Sequence, residues 1–193
     1  MVVGGTEGRR ERLEGVLRDA LLLGIELEPT YRVLSATVEP VPGRVRPAAD
    51  GDPRLIVAAH PVSTLLAVLV ERGVDGPPTV RTFEVAQLPA VVAALGTARL
   101  EGPVLGRAEP RPGQWAPQWS LQGRSSAADG TRETLTVRVD DGELRLDLFA
   151  RCDVVELRRP DGSTVDDAAL VRPPTPGRVG GGRGRVDGGG SAP

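Results

Sequence analysis

The chain has 193 residues, 39% hydrophobic and 26% charged, with a formal net charge of −2. That is enough to form one buried core, and nothing in it suggests a membrane protein or a polyanion-binding one. It contains one histidine, one cysteine, one tyrosine, and no lysine or asparagine, so most Schiff-base, metal and acid–base chemistries lack their usual side chains.

Arginine supplies every positive side chain, a pattern in keeping with a GC-rich genome, and codon bias therefore accounts for part of the missing lysine. The end of the chain from Val171 carries Arg172, Arg178, Arg183 and Arg185 against Asp187 alone, which leaves the remainder mildly acidic. A single cysteine forms no internal disulfide. The first residues include Arg9 and Arg10 but no apolar stretch of signal-peptide type, and no apolar run approaches the ~20 residues of a spanning helix. The expectation is a soluble cytoplasmic protein.

In chain order, Leu13, Val16, Leu17, Ala20 and Leu21 recur at helical spacing. They predict a helix over 9–23, with Gly24 as its stop. Strands are expected over 25–28 and 31–39, joined at Pro29-Thr30, followed by a Pro/Gly-rich loop over 41–53. Residues 54–60 and 63–72 are apolar at nearly every position and are separated by Pro61. Both read as strands from the middle of a covered sheet, although the second run also admits a helix. A loop over 73–78 and a strand over 79–85 come next. A helix then follows on Leu88, Val91, Val92 and Leu95, with Pro89 in its first turn and Gly96 past its end.

Beyond the Pro/Gly-rich residues 102–117, four alternating segments (118–125, 132–139, 143–149 and 153–159) predict an antiparallel meander with one wet face. Its links are residues 127–130, Asp140-Asp141-Gly142, and a break over 150–152. Residues 165–171 predict a helical turn, and no internal repeat of 20–50 residues is visible. The expected architecture is α+β, mostly antiparallel sheet with two helices. Residues 1–8 form a flexible N-terminus, 9–172 a single domain, and 173–193 a disordered Gly/Pro/Arg tail.

Each candidate for chemistry has a plainer reading. His60, at a strand end before Pro61, has no histidine partner for a metal and reads as a structural strand cap. Cys152 lies between Arg151 and Asp153, which suits a reactive thiol, yet the local signatures of thiol hydrolases are absent; a small buried residue is the simpler reading. Gly123-Arg124-Ser125-Ser126-Ala127 lacks the last glycine of a nucleophile elbow. Asp140-Asp141-Gly142 serves a tight hairpin without invoking calcium. A phosphate loop is excluded by the missing lysine, and Gly180–Arg185 is too poor in aromatics for an RNA-binding segment. Trp115 and Trp119 stand close together in a chain poor in aromatics; they are the best candidates for partner binding, with core packing as the alternative. No catalytic set, cofactor, metal or nucleic-acid partner is expected.

Residues Asp19-Ala20-Leu21-Leu22-Leu23-Gly24-Ile25-Glu26-Leu27, then Asp52-Pro53-Arg54 leading into Ala59-His60-Pro61-Val62, give the chain a familiar outline. Together with the Leu-x-Leu-x-Leu strand and Asp153-Val154-Val155-Glu156-Leu157, they resemble small hypothetical proteins of high-GC bacteria. Some of these look like the YxiG-like proteins associated with toxin–immunity loci. The likeness spans residues 17–163 and carries no functional residue. It implies protein binding of an immunity-like kind and no known activity. The leading expectation is therefore a non-enzymatic macromolecule-binding protein with a protein partner. The alternative is a small hydrolase-type enzyme using His60 with Cys152 or carboxylates.

Overall fold

The computed structural model describes residues 5–46, 51–73, 76–81, 83–106 and 133–170. Helix α1 spans Gly5–Leu17, followed by strands β1 (Leu21–Glu28), β2 (Val33–Glu39), β3 (Leu55–Glu71) and β4 (Thr79–Arg81). A 3-10 turn at Val85–Gln87 leads into helix α2 (Leu88–Ala94), then β5 (Leu105–Gly106), β6 (Glu133–Asp140) and β7 (Leu144–Arg158). All strand pairs are antiparallel, in the order β1-β2-β3-β7-β6-β5 with β4 beside β3. The architecture is α+β, as expected.

Leu21 bridges to Arg99 and Leu100 bridges to Val139, so residues 98–106 lie between β6 and β1 and join the two edges of the sheet. Closure of this kind removes exposed edges that would otherwise recruit other strands. One hydrophobic core fills the interior. Leu13, Val16 and Leu17 of α1 and Leu88 and Val92 of α2 reach into it, along with the inward rows of β2, β3, β6 and β7.

Several expected boundaries move. The first helix stops at Leu17 instead of running to Leu23, because Asp19 turns the backbone (φ 60) and Leu22 donates its N–H to Ala98 O as part of a strand. That helix begins at Gly5, within the stretch expected to be flexible. The second strand starts at Val33 and not Tyr31, after a turn in which Arg32 has φ 53. The strand expected over 79–85 ends at Arg81, and Val85 belongs to the 3-10 turn. The helix after it matches its expected span, with Gly96 at φ 61 just beyond. Residues 165–171 provide only a 3-10 turn at Asp167–Ala169.

Two expected breaks are absent. Residues 54–60 and 63–72 form the single strand β3, which excludes the helical reading, and β7 runs unbroken through Ala150–Cys152. Proline without an N–H is tolerated inside β3 because both strands change phase there together. The inward rows pass from Ala59 opposite Val155 to Val62 opposite Cys152. A bulge at Ser63, whose hydroxyl donates to Arg151 O (3.2 Å), restores the alternation from Leu65 onward. Segment 118–125, Trp115, Trp119 and the tail lie outside the described residues.

The pairings carry a pseudo-two-fold relation. Leu34↔Ala59, Ser35↔Ala58 and Val38↔Leu55 in one half correspond to Leu135↔Ala150, Thr136↔Phe149 and Val139↔Leu146 in the other. Leu27↔Leu34 likewise corresponds to Leu105↔Leu135. Within the β3–β7 pair, Val57↔Leu157 and Ala59↔Val155 map onto Ala67↔Leu148 and Leu65↔Ala150, with Val62↔Cys152 on the axis. Leu21↔Arg99 is the second self-related pair. Each half reads helix–strand–strand–strand, and each helix sits against the other half: α1 beside β5, α2 along β1. Glu14 of α1 fastens this exchange by accepting the backbone N–H groups of Val104 and Leu105, both at 2.8 Å.

Candidate functional site

The reactive side chains fall in separate places. Cys152 is 0% exposed on the inward face; its Sγ donates weakly to Glu133 O at 3.7 Å. Burial is the main cause that pushes its thiol up to about 12, with Glu133 and Asp153 adding to it. His60 stands on the outward face of β3, paired with Val154. The sheet itself therefore separates His60 from Cys152, and the thiol–imidazole pairing does not assemble. Asp140 and Asp141 do hairpin work: Asp140 Oδ1 accepts from Gly142 N, and Asp141 Oδ1 from Glu143 N and Leu144 N. Among the described residues, no group of three or more His, Cys, Asp or Glu side chains is placed to hold a metal ion.

What surrounds His60 is built by the β2–β3–β7 register. His60 Nε2 lies 3.5 Å from Glu156 Oε1, long for a hydrogen bond. The other oxygen of Glu156 accepts from Arg158 Nε (3.0 Å) and Nη2 (2.7 Å). Those bonds hold the Glu156 carboxyl below its usual range, against the opposing effect of burial. Val154 is 40% exposed beside His60; Tyr31, in the turn between β1 and β2, is 75% exposed, and the O of the next residue, Arg32, accepts the Val62 N–H. The result is a face with an exposed isopropyl group beside His60 and a neutralised ion pair next to it, and an exposed phenol in the turn between β1 and β2.

Sequence reasoning singled out His60 and missed Val154, Glu156 and Arg158 as its neighbours. The alternation Val154, Glu156, Arg158 was the available signal, but their nearness to His60 depends on the long-range pairing of β3 with β7. A separate cleft of about 260 Å³ lies between α2 and the ends of β3 and β7, lined by Leu69, Arg81, Phe83, Gln87, Val91 and Leu144. Its lining offers neither a nucleophile nor a carboxylate. Among the described residues, no helix is long and apolar enough to cross a membrane. No family model, curated protein or solved structure matches this chain.

Proposed function

We propose that this chain is a non-enzymatic protein-binding domain, immunity-like in acting by occupying its partner, and that it binds through the outward face around His60. The supporting observation is the exposure of Val154 beside His60 on the face formed by β2, β3 and β7, with Tyr31 exposed in the adjoining β1–β2 turn. Tyrosine is among the side chains enriched at the centres of protein interfaces, an exposed aliphatic neighbour adds apolar area, and a charged margin confers specificity. The mutual neutralisation of Glu156 and Arg158 argues against a polyanion as the partner.

Affinity capture from native lysate tests this reading. The wild-type chain and a Leu23→Ser, Val80→Thr control, altered at other exposed apolar positions, recover one protein at stoichiometric yield. The Tyr31→Ser, Val154→Thr variant loses it. Undiminished capture by that variant overturns the reading, as does a chain that captures no partner while turning over a small molecule. A hydrolase acting through His60 and Glu156 predicts that second outcome, together with loss of turnover in Glu156→Gln.

A further inference from the structure

The pseudo-two-fold relation extends past the long strands. Each half ends in a short return: β4 folds back on the end of β3, and residues 163–165 fold back on the end of β7. In the second return Thr164 bridges Arg158, and Val165 donates its N–H to Leu157 O. A 3-10 turn follows each return, at Val85–Gln87 in one half and Asp167–Ala169 in the other. Arg81, Phe83 and Gln87 therefore correspond to Ser163, Val165 and Ala169. The match of Leu17, Ala20 and Leu22 with Leu95, Ala98 and Leu100 likewise pairs Gly15 with Ala93. The two halves cover this end of the fold differently. In one, the link between β2 and β3 lies across it. Arg46 donates its N–H to Ala169 O, Arg44 Nη1 donates to Gly15 O in α1, and Val45 between them bridges Leu170 and packs on the core. In the other half the corresponding link is the turn Asp141–Glu143, which stops at the strand ends. The equivalent place, between Gln87 and Ala94, is the cleft of about 260 Å³, where Phe83, Val91 and Leu144 stay partly exposed.

We propose that this cleft binds a small monocarboxylate with an aliphatic body, of the size of a medium-chain fatty acid. Val45 and its neighbours, in the other half, occupy the equivalent position with aliphatic side chains, so the fold accepts an apolar body there. Ligand sites combine an apolar lining with a few polar groups that fix orientation, and here those groups are Arg81 and Gln87. Arg81 stands opposite Leu69, and cross-strand partners share a face, so an arginine lies on the core side of the sheet at the end of an inward row of β3. It contributes little to the fold. Its ion-pair partner Glu71 is 3.7 Å away, beyond hydrogen-bond distance, and both side chains are at least half exposed. A guanidinium so placed can take a carboxylate in the bidentate geometry that suits its fork. Gln87 Oε1 accepts the Glu84 N–H, which leaves the amide nitrogen of Gln87 to donate beside Arg81. With donors at its mouth and no carboxylate in its lining, the cleft favours an anionic head over an ammonium. At the ~30 Å³ that a water takes in the liquid, its volume admits about nine non-hydrogen atoms, close to the size of octanoate.

Titration of the ¹⁵N-labelled full chain with octanoate, followed by amide chemical shifts, tests the assignment. The expected result is saturable shifts confined to β4, α2 and the start of β7, with a Kd of about 1 mM or tighter for a ligand this small. Arg81→Gln weakens binding about tenfold, the loss of a charge-assisted pair. Glu71→Gln removes the carboxylate that competes for Arg81 and strengthens binding several-fold. Ala90→Phe fills the cleft and abolishes binding. All three substitutions are at exposed positions, so urea midpoints stay near wild type and each variant can be assayed folded. Leu23→Ser, outside the cleft, leaves the affinity unchanged. Octanamide and octylammonium, with the same body and a different head, bind at least about tenfold more weakly than octanoate. The absence of saturable shifts, or shifts centred away from α2 and β4, overturns the proposal. Octanamide or octylammonium binding as tightly as octanoate overturns it too, as does an affinity for octanoate unaltered by Arg81→Gln.

Discussion

Replacing Glu14 with alanine probes the exchange of helices between halves at a single point. Its two carboxylate oxygens each accept one backbone N–H, from Val104 and Leu105, residues that are themselves almost wholly buried. A hydrogen bond to a charged group contributes about 1.5–3 kcal/mol net. Glu14 itself is only half-buried, so entering water recovers part of the loss, and the two bonds together come to about 3 kcal/mol. At about 2–4 °C per kcal/mol for a chain of this size, Glu14→Ala lowers the melting temperature by about 6–12 °C. Glu14→Gln keeps one good acceptor and turns an amide N–H toward the other donor, for a cost of about 1 kcal/mol. Exposed Glu11 on the same helix is the control, with Glu11→Ala within about 0.5 kcal/mol of wild type. Urea unfolding followed by far-UV circular dichroism gives all three values. A Glu14→Ala chain as stable as Glu11→Ala refutes the reasoning.

Three further outcomes follow from the same geometry. Leu34 and Leu135 are equivalent, fully buried inward residues, so alanine at either costs about 2–5 kcal/mol and the two costs are alike; a large disparity in urea midpoints contradicts the pseudo-two-fold relation. Cys152 resists iodoacetamide in the folded chain near pH 8 and reacts on unfolding, as a buried thiol pushed up to about 12 requires; rapid native alkylation would contradict its placement. Acid weakens the fold through Asp140. Burial opposes ionisation there, but the Gly142 N–H and the Arg72 guanidinium outweigh it and hold the carboxyl below its usual value. A lowered folded-state pKa contributes stability above the unfolded carboxylate value of about 3.9, and that contribution is lost as pH falls through the lower folded value. Stability measured from pH about 5 down to pH about 2 therefore declines less steeply in Arg72→Gln than in wild type.

The alternation of Leu34, Ala36 and Val38, and of Leu135, Val137 and Val139, was legible because a strand with one buried face repeats every two residues. The end of α1 was not legible, since Leu21 continues the helical spacing of Leu13 and Leu17 while belonging to a strand. Pro61 and the run Ala150–Cys152 looked like breaks, yet a shared change of phase lets β3 and β7 pass through as single strands. The duplicated fold was hidden because its loops differ in length: Pro29–Arg32 against residues 107–132, and residues 40–54 against Asp141–Glu143. Its one compact trace is Leu-x-x-Ala-x-Leu at Leu17, Ala20, Leu22 and again at Leu95, Ala98, Leu100, all buried. The expected wet face of the meander also needs qualification, since Thr134 and Phe149 on it are buried. His60 was identifiable as a residue of interest from its rarity alone. Its neighbours were not, because a β3–β7 pairing so distant in sequence leaves no local pattern.

His60 and Tyr31 are the only histidine and tyrosine in the chain, so mass mapping reads diethylpyrocarbonate modification at His60 and tetranitromethane nitration at Tyr31 each at a single residue. The decisive measurement is the rate of both modifications in the full chain, alone and saturated with the partner that the proposed function requires affinity capture to recover. The proposed binding at the outward face around His60 predicts that both slow several-fold. Modification of His60 and Tyr31 at unchanged rates in the saturated complex contradicts the account.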